Sequence, residues 1–295
     1  MSATIAILVN PTSGRSGSTA QAVQLIERLE ASGSRVRTLV GQDGRQALDL
    51  CHQAVADGVD ALVAVGGDGT AHLALQAVAG TGTPFCLVPT GTGNDLASCL
   101  GVTPHPLEAA DAVLAGTTRP VDAARTDNGD WWACVLGAGF DSAVNDRANR
   151  MSWPRGRRRY DLAVLWELRT LRPVPFVVHL DGRRLEADAM LVAVGNVASY
   201  GGGMRVCPDA DPTDGLLDVV IVGPLSRSAF LRIFPSVFKG THLRHPAVTV
   251  HRAREVRLEA PSVTAYADGE CLQRLPVTST VVAGAVQMLG LPPRT

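Results

Sequence analysis

The chain of 295 residues has no long hydrophobic run. Nothing in it approaches the roughly 18 uncharged apolar residues that a bilayer-spanning helix needs, so no helical span is expected. The opening residues, MSATIAILVNPTSG, put no basic stretch ahead of the short apolar run Ile5 to Val9. They read as a core strand and not as a secretion signal. Charge of one sign is missing too. Twenty-seven basic and 28 acidic residues leave a net charge of −1. Attraction to a polyanion must therefore be local, and global charge gives no case for nucleic acid. The six cysteines, at positions 51, 86, 99, 134, 207 and 271, show neither metal-ligand nor redox spacing. They form no secreted disulfide framework, which fits reduced thiols in a cytosol. Two phosphate-binding signatures are also lacking. There is no G-x-x-x-x-G-K-[ST], which excludes a P-loop protein, and no G-x-G-x-x-G after the first strand pattern, which counts against a dinucleotide oxidoreductase.

What is there reads as an ordinary globular protein. Composition is 46% hydrophobic and 19% charged, and the length suits two domains. Apolar runs at Ile5 to Val9, Val36 to Val40, Ala61 to Val65 and Phe85 to Val88 alternate with helical patterns, including Ala47 to Ala56 and Ala71 to Ala79. Such alternation predicts an α/β body, a doubly wound parallel sheet covered on both faces. After Asp122 the rhythm changes. WWACVLGAGF reads as a strand and residues 147 to 169 as a basic helical segment. Hairpin patterns follow, the first around Asp181-Gly182. The expected division is an α/β domain over 1–125 and a mostly antiparallel, sandwich-like β domain over 126–280, with 281–295 returning to the first.

Three glycine-rich turns follow three of the apolar runs: NPTSG (10–14), GGDGT (66–70) and PTGTGND (89–95). In an open parallel sheet these turns share one edge, where ligands bind. Glycine lets backbone N–H groups approach an anion closely, and helix N-termini favour negative charge. Asp68 is discordant among phosphates unless a cation stands between them, and Mg²⁺ is the natural mediator. The alternative is a helix N-cap, a position that Thr70 could fill equally well.

These turns, in this order, resemble the diacylglycerol kinase catalytic domain family, which includes sphingosine and ceramide kinases. The resemblance continues through VDAAR (121–125), GAGFDSAV (137–144), PDADPTDGLLDVVIV (208–222) and ADGE (267–270), so it covers nearly the full length. It implies an ATP- and Mg²⁺-dependent lipid kinase whose nucleotide and lipid meet in a cleft between two domains. Carried over, ATP contacts fall on Asn10, Pro11, Thr12, Ser13 and Gly14, on Gly66, Gly67, Asp68, Gly69, Thr70, Ala71 and His72, and on Thr92 and Asn94. Asp68 would organise the catalytic Mg²⁺. Asp122 would help to hold a metal and water network. The Asp214 side chain and the carbonyls of Asp211 and Leu216 would bind a structural Mg²⁺. Glu270 would be the general base, with Asp268 beside it. Two departures stand out: Leu73 follows His72 where the family often has Glu, and Val40 or Gly41 stands where a threonine after the second strand is common.

The segment WPRGRRRYDLAVLWELRTLR (153–172) gathers Arg155, Arg157, Arg158 and Arg159 beside Trp153, Tyr160 and Trp166. It reads either as a core-facing helix with a basic start or as a contact with an anionic membrane surface, where each basic residue contributes about 1 kcal/mol. The implied partners are thus ATP, a membrane lipid acceptor and a peripheral membrane surface, with no nucleic acid and with a homodimer allowed. The implied location is cytoplasmic and peripherally membrane-associated. A soluble-substrate kinase of the NAD kinase type, and a catalytically silent nucleotide- or lipid-binding regulator, remain alternatives.

Overall fold

The computed structural model describes residues 2–10, 17–103, 105–151, 153 and 157–292. The first part alternates β1 (Thr4–Val9), α1 (Gly17–Ala31), β2 (Arg35–Leu39), α2 (Gly44–Ala56), β3 (Ala61–Gly66), α3 (Asp68–Val78), β4 (Pro84–Pro89), α4 (Asp95–Leu100), α5 (Pro106–Ala115) and β5 (Thr118–Thr126). β1 pairs parallel with both β2 and β3, and β3 pairs parallel with β4. Alternate residues of these strands face opposite ways. Ala6, Leu8, Leu62, Ala64, Phe85 and Leu87 pack on α2, α3 and α4. Ile5, Ile7, Val63, Val65, Cys86 and Val88 pack on α1 and α5. Both faces are buried, which is why the strands read as continuous apolar runs.

The second part contains β6 (Trp131–Trp132), β7 (Val135–Gly139), α6 (Phe140–Arg150), α7 (Arg157–Thr170), β8 (Val174–Leu180), β9 (Arg183–Ala189) and β10 (Leu191–Gly195). Then come β11 (Leu217–Val222), α8 (Arg227–Val237), β12 (Val248–Ala253), β13 (Glu255–Glu259), β14 (Thr264–Ala267), β15 (Glu270–Arg274) and β16 (Val277–Leu289). An antiparallel six-stranded sheet runs β12-β11-β10-β7-β14-β15. One of its faces packs against β8 and β13 through Leu136, Val192, Val219, Phe176, Val178 and Leu258, which makes the sandwich. The other is covered by α6, α7 and α8 through Phe140, Ala163, Leu168 and Phe230.

Several elements differ from the sequence reading. WWACVLGAGF is two strands and the start of a helix, and the basic helical segment is split between α6 and α7. α3 begins at Asp68, three residues earlier than expected. α8 escaped notice because Pro235 lies within it.

β16 ties the two parts together. Its end pairs parallel with β4 (Gln287 opposite Pro84), its start pairs antiparallel with β13, and β5 runs antiparallel along it. A register shift lies between Val282 and Val286, where Gly284 has a φ of 63°. The buried carboxylate of Asp122 on β5 accepts from Gly284 N at 2.7 Å and from Gly215 N at 2.8 Å. Asp122→Ala would orphan two N–H groups, and urea denaturation is expected to show a loss of roughly 3 kcal/mol. A loss below about 1 kcal/mol would mean that these bonds do not hold the structure.

Asp141, in the first turn of α6, has the opposite effect when ionised. A methyl group at Gly137 would lie 2.4 Å from Asp141 Oδ2, so only glycine admits this carboxyl. Burial pushes its pKa up to about 6, although a hydrogen bond from Tyr200 lowers it. A carboxyl with a raised folded pKa binds its proton more tightly in the folded state. Its ionisation therefore removes stability between about pH 4 and pH 6, and the cost stays constant above that. Asp141→Asn is expected to raise the melting temperature at pH 7.5 and to leave it unchanged near pH 4. At neutral pH the gain is about 1–3 kcal/mol, the lower end allowing for partial exposure. An equal effect at both pH values would overturn this account.

Candidate active site

The turns after β3 and β4 interlock. Asp68 is the first residue of α3, and its side chain reaches across to the neighbouring turn. Oδ2 accepts from Asn94 N at 2.9 Å and Oδ1 from Asp95 N at 2.6 Å. The contact needs glycine on the far side: a methyl group at Gly93 would stand 2.4 Å from Asp68 Oδ2. One at Gly91 would stand 2.7 Å from the Gly67 Cα. The Asn94 side chain closes its own turn, accepting from Gly91 N at 3.0 Å and donating to Gly91 O at 2.9 Å. The expected glycines are therefore required, but for close packing of two backbones as much as for approach to a ligand.

Other expected nucleotide contacts fall differently. Thr70 is buried, and a methyl group at Gly66 would lie 2.2 Å from its Oγ1, so its side chain lies packed under the turn. Gly67, Gly69 and Ala71 line the start of α3, and Thr92 is exposed beside it. Asn10 accepts a hydrogen bond from Ser18 at its backbone oxygen, 3.2 Å away. Pro11, Thr12, Ser13 and Gly14 lie outside the described residues. At Gly41 a methyl group would come within 2.5 Å of Ala47 N, so α2 packs too closely there for a threonine. Leu73, in place of an acid, packs into the apolar cluster shared by α2 and α3.

The ADGE stretch arrives at this same edge. Asp268 and Gly269, with φ of 54° and 84°, make the tight connection between β14 and β15. Glu270, the next residue, is exposed, and its Oε1 lies 3.6 Å from where a methyl group on Gly69 would be. Asp68 and Glu270 thus flank the first turn of α3, although about two hundred residues separate them. Asp268 is turned inwards, accepting from Ala133 N at 2.9 Å and Cys134 N at 2.8 Å. His72, an expected ATP contact, faces Asp268, with Nδ1 3.5 Å from Oδ2. Burial disfavours the imidazolium. The hydrogen bond to Asp268 and the charges of Asp268, Glu270 and Asp130 outweigh it, so the pKa is raised.

Sequence reasoning missed Asp95. Its carboxylate accepts from Gly201 N at 2.6 Å and Gly202 N at 3.1 Å, joining α4 to a glycine-rich loop of the second part. Burial and the charge of Asp68 raise its pKa, against those two N–H bonds. The signal was present as the last letter of PTGTGND. Asp68, Asp95, Asp268 and Glu270 make the edge acidic. Among the described residues, no group of three or more acidic, histidine or cysteine side chains is arranged to hold a metal ion. That donor set fits Mg²⁺ bound through one or two carboxylates together with substrate phosphates and water, not a closed protein cage.

In the loop for which the resemblance implies a structural Mg²⁺, the acidic side chains make contacts of their own. Asp214 Oδ1 accepts from Leu216 N at 3.0 Å, and its other oxygen pairs with Arg252. Arg252 also holds Asp218 at 2.8 Å, and Asp211 accepts from Thr213 N at 3.0 Å. The loop's negative charge is thus matched by an arginine. Asp122, expected in a metal and water network, reaches Gly215 and Gly284 directly. Of the basic segment, Arg155 and the side chains of Arg157 and Arg158 lie outside the described residues. Arg159 Nη1 donates to Met151 O at 3.4 Å. Trp166 is exposed, with the Arg147 guanidinium 5.2 Å from its ring.

Comparison with known proteins gives a consistent picture. Residues 4–126 match the diacylglycerol kinase catalytic domain, and residues 134–290 match the YegS C-terminal NAD kinase beta sandwich-like domain. A diacylglycerol kinase of Mycobacterium tuberculosis is 45% identical over 291 residues, spanning 97% of this chain and 94% of that one. One from Bacillus subtilis is 28% identical, over 92% and 90% of the two chains. The crystal structure of a diacylglycerol kinase from Bacillus anthracis superposes with a TM-score of 0.73 at 22% identity, over 98% of this chain and 97% of the other. An NAD kinase from Archaeoglobus fulgidus in complex with ATP shares the fold at a TM-score of 0.53 and 12% identity, over 98% and 93%. Similar to a named diacylglycerol kinase along almost its whole length, this chain belongs to the diacylglycerol kinase family.

Proposed function

We infer that the protein transfers the γ-phosphoryl group of ATP to the hydroxyl of diacylglycerol, or of a related lipid such as a sphingoid base or ceramide. The observation that carries this reading is the position of the Glu270 carboxylate beside Gly69, in the first turn of the helix that Asp68 opens. In this reading residues 1–125 hold the nucleotide, residues 126–280 hold the acceptor, and 281–295 return to the first body. Phosphates lie against the N-terminus of α3, where backbone N–H groups and the helix dipole favour anions. Mg²⁺, when bound, would offset phosphate charge, and Asp68 and Asp95 are the carboxylates that would hold it, directly or through water. Glu270 takes the proton of the lipid hydroxyl. That oxygen bonds to the γ-phosphorus, the bond from the γ-phosphorus to the β,γ-bridging oxygen breaks, and ADP leaves with the electron pair. Diacylglycerol would become phosphatidic acid.

The acceptor sits in a bilayer, so the protein must work at its surface. Supporting this, Leu165 and Trp166 on α7 and Leu231 on α8 are exposed large apolar side chains, and Phe238 follows α8. Between residues 224 and 245 there are four basic residues, Arg227, Arg232, Lys239 and Arg244, and no acidic one. No helix among the described residues is long and apolar enough to cross a membrane.

One assay tests the chemistry, using γ-labelled ATP and Mg²⁺ with mixed micelles of diacylglycerol, sphingosine or ceramide, or with NAD. Label should enter lipid, and Glu270→Gln should lower the rate by at least about a hundredfold. Label in NAD but in no lipid favours the soluble-substrate alternative, and ATP binding without any turnover favours a silent regulator. Flotation with vesicles tests the surface. Binding should need anionic lipid, weaken with salt, and fall several-fold in Trp166→Ala. Equal binding to neutral vesicles would overturn the electrostatic part.

A further inference from the structure

Gln76 lies one helical turn beyond His72 on α3, on the face that carries Gly69. Its carboxamide is used twice by the edge strand β6. Trp131 N donates to Gln76 Oε1 at 2.8 Å, and Gln76 Nε2 donates to Trp131 O at 2.6 Å. This two-point grip leaves no freedom to exchange the amide oxygen and nitrogen, because a reversed carboxamide would set like against like. The same Nε2 lies 3.2 Å from His72 Nε2. An amide nitrogen donates and does not accept. His72 Nε2 must therefore present its lone pair, and in the neutral ring the proton sits on Nδ1. That is the nitrogen facing Asp268 Oδ2 at 3.5 Å.

Asp268 in turn holds Ala133 N and Cys134 N, two and three residues beyond Trp131. One face of α3 thus grips the connection from β6 to β7 at Trp131 and, through His72 and Asp268, at Ala133 and Cys134. Asp268 opens the two-residue turn whose next residue is Glu270. His72 and Asp268 are both largely buried, with side chains 12% and 8% exposed, so water competes weakly for these bonds.

We propose that Gln76 and His72 are positioning residues for Glu270. The Trp131 backbone orients Gln76, Gln76 sets the His72 tautomer, and His72 then donates to Asp268, which holds the Asp268-Gly269-Glu270 turn against α3. Neither residue touches the reacting atoms. The role assigned to Glu270 rests on the lipid kinase reading, whereas the order of donors along the chain of side chains does not.

The test has two arms. In the first, long-range proton–nitrogen correlation spectra of the ¹⁵N-histidine-labelled wild-type protein at pH 8 identify the tautomer of each neutral imidazole. The His72 signal is the one missing from His72→Asn. The expected result is the Nδ1–H form for His72 in the wild type and loss of that single-tautomer pattern in Gln76→Leu. An Nε2–H form in the wild type overturns the proposal whatever reaction the protein performs. In the second arm, Gln76→Leu and His72→Leu should each lower kcat by about tenfold, with KM for ATP held within about twofold. His72→Asn keeps an N–H donor near the place of Nδ1 and should recover at least about threefold of that loss. Wild-type rates in both leucine variants overturn the positioning role. If the wild type phosphorylates no lipid at all, it is the reading of Glu270 that fails, and the spectra still decide the donor order.

Discussion

One strand decides where everything else can be. β16 lies in register with β4 at one end and with β13 at the other, with β5 along its length. The parallel strands and one layer of the sandwich, β13, β8 and β9, therefore belong to a single hydrogen-bonded sheet. The shift between Val282 and Val286 bends that strand, and a bulge of this kind leaves a backbone N–H without a partner in the ladder. Asp122 takes the N–H of Gly284 and, with its other oxygen, that of Gly215. A single buried carboxylate thus sets the bend of the strand and the seat of the acidic loop.

The active edge inherits its geometry from this frame. Asp68 and Glu270 come from α3 and from the start of β15, and neither element has a direct covalent route to the other. What brings them together is a set of short polar contacts: Asp68 across to Asn94 and Asp95, Asp95 across to Gly201 and Gly202, and Asp268 back to Ala133 and Cys134. Each is a carboxylate accepting backbone N–H groups, a strong kind of hydrogen bond with little freedom of geometry. The acids of this site therefore do two things. Some of their lone pairs fasten loops, and the remainder give the edge its negative character.

Much of this was legible in the chain itself. The buried parallel strands show as unbroken apolar runs because both of their faces are covered, and the Asp268-Gly269 turn shows as a hairpin signal. The resemblance of the motifs placed Asp68 and Glu270 at one edge, which neither spacing nor composition could do. What was not legible is instructive. Thr70 and Asn94 belong to motifs expected to bind nucleotide, and the fold uses their side chains in packing and turn closure, a choice that only the tertiary neighbours Gly66 and Gly91 reveal. Gln76 looks like an ordinary surface glutamine until β6, folded 55 residues later, presents its backbone. Arg252 stands far along the chain from the acidic loop whose carboxylates it pairs with, so nothing in the loop itself points to it.

The tryptophans divide by environment. Trp131 is buried against α3 and Trp132 in the sandwich core, whereas Trp153 and Trp166 stand out at the surface. The four indoles thus form two separate optical reporters in one unmodified chain. Emission from the buried pair follows the integrity of the α3 seam and of the sandwich core. Emission from the exposed pair follows whatever replaces water at the outer helical layer. Loss of fold shifts the first towards the red, and burial in a lipid headgroup region shifts the second towards the blue, so intrinsic fluorescence separates unfolding from surface docking without a label.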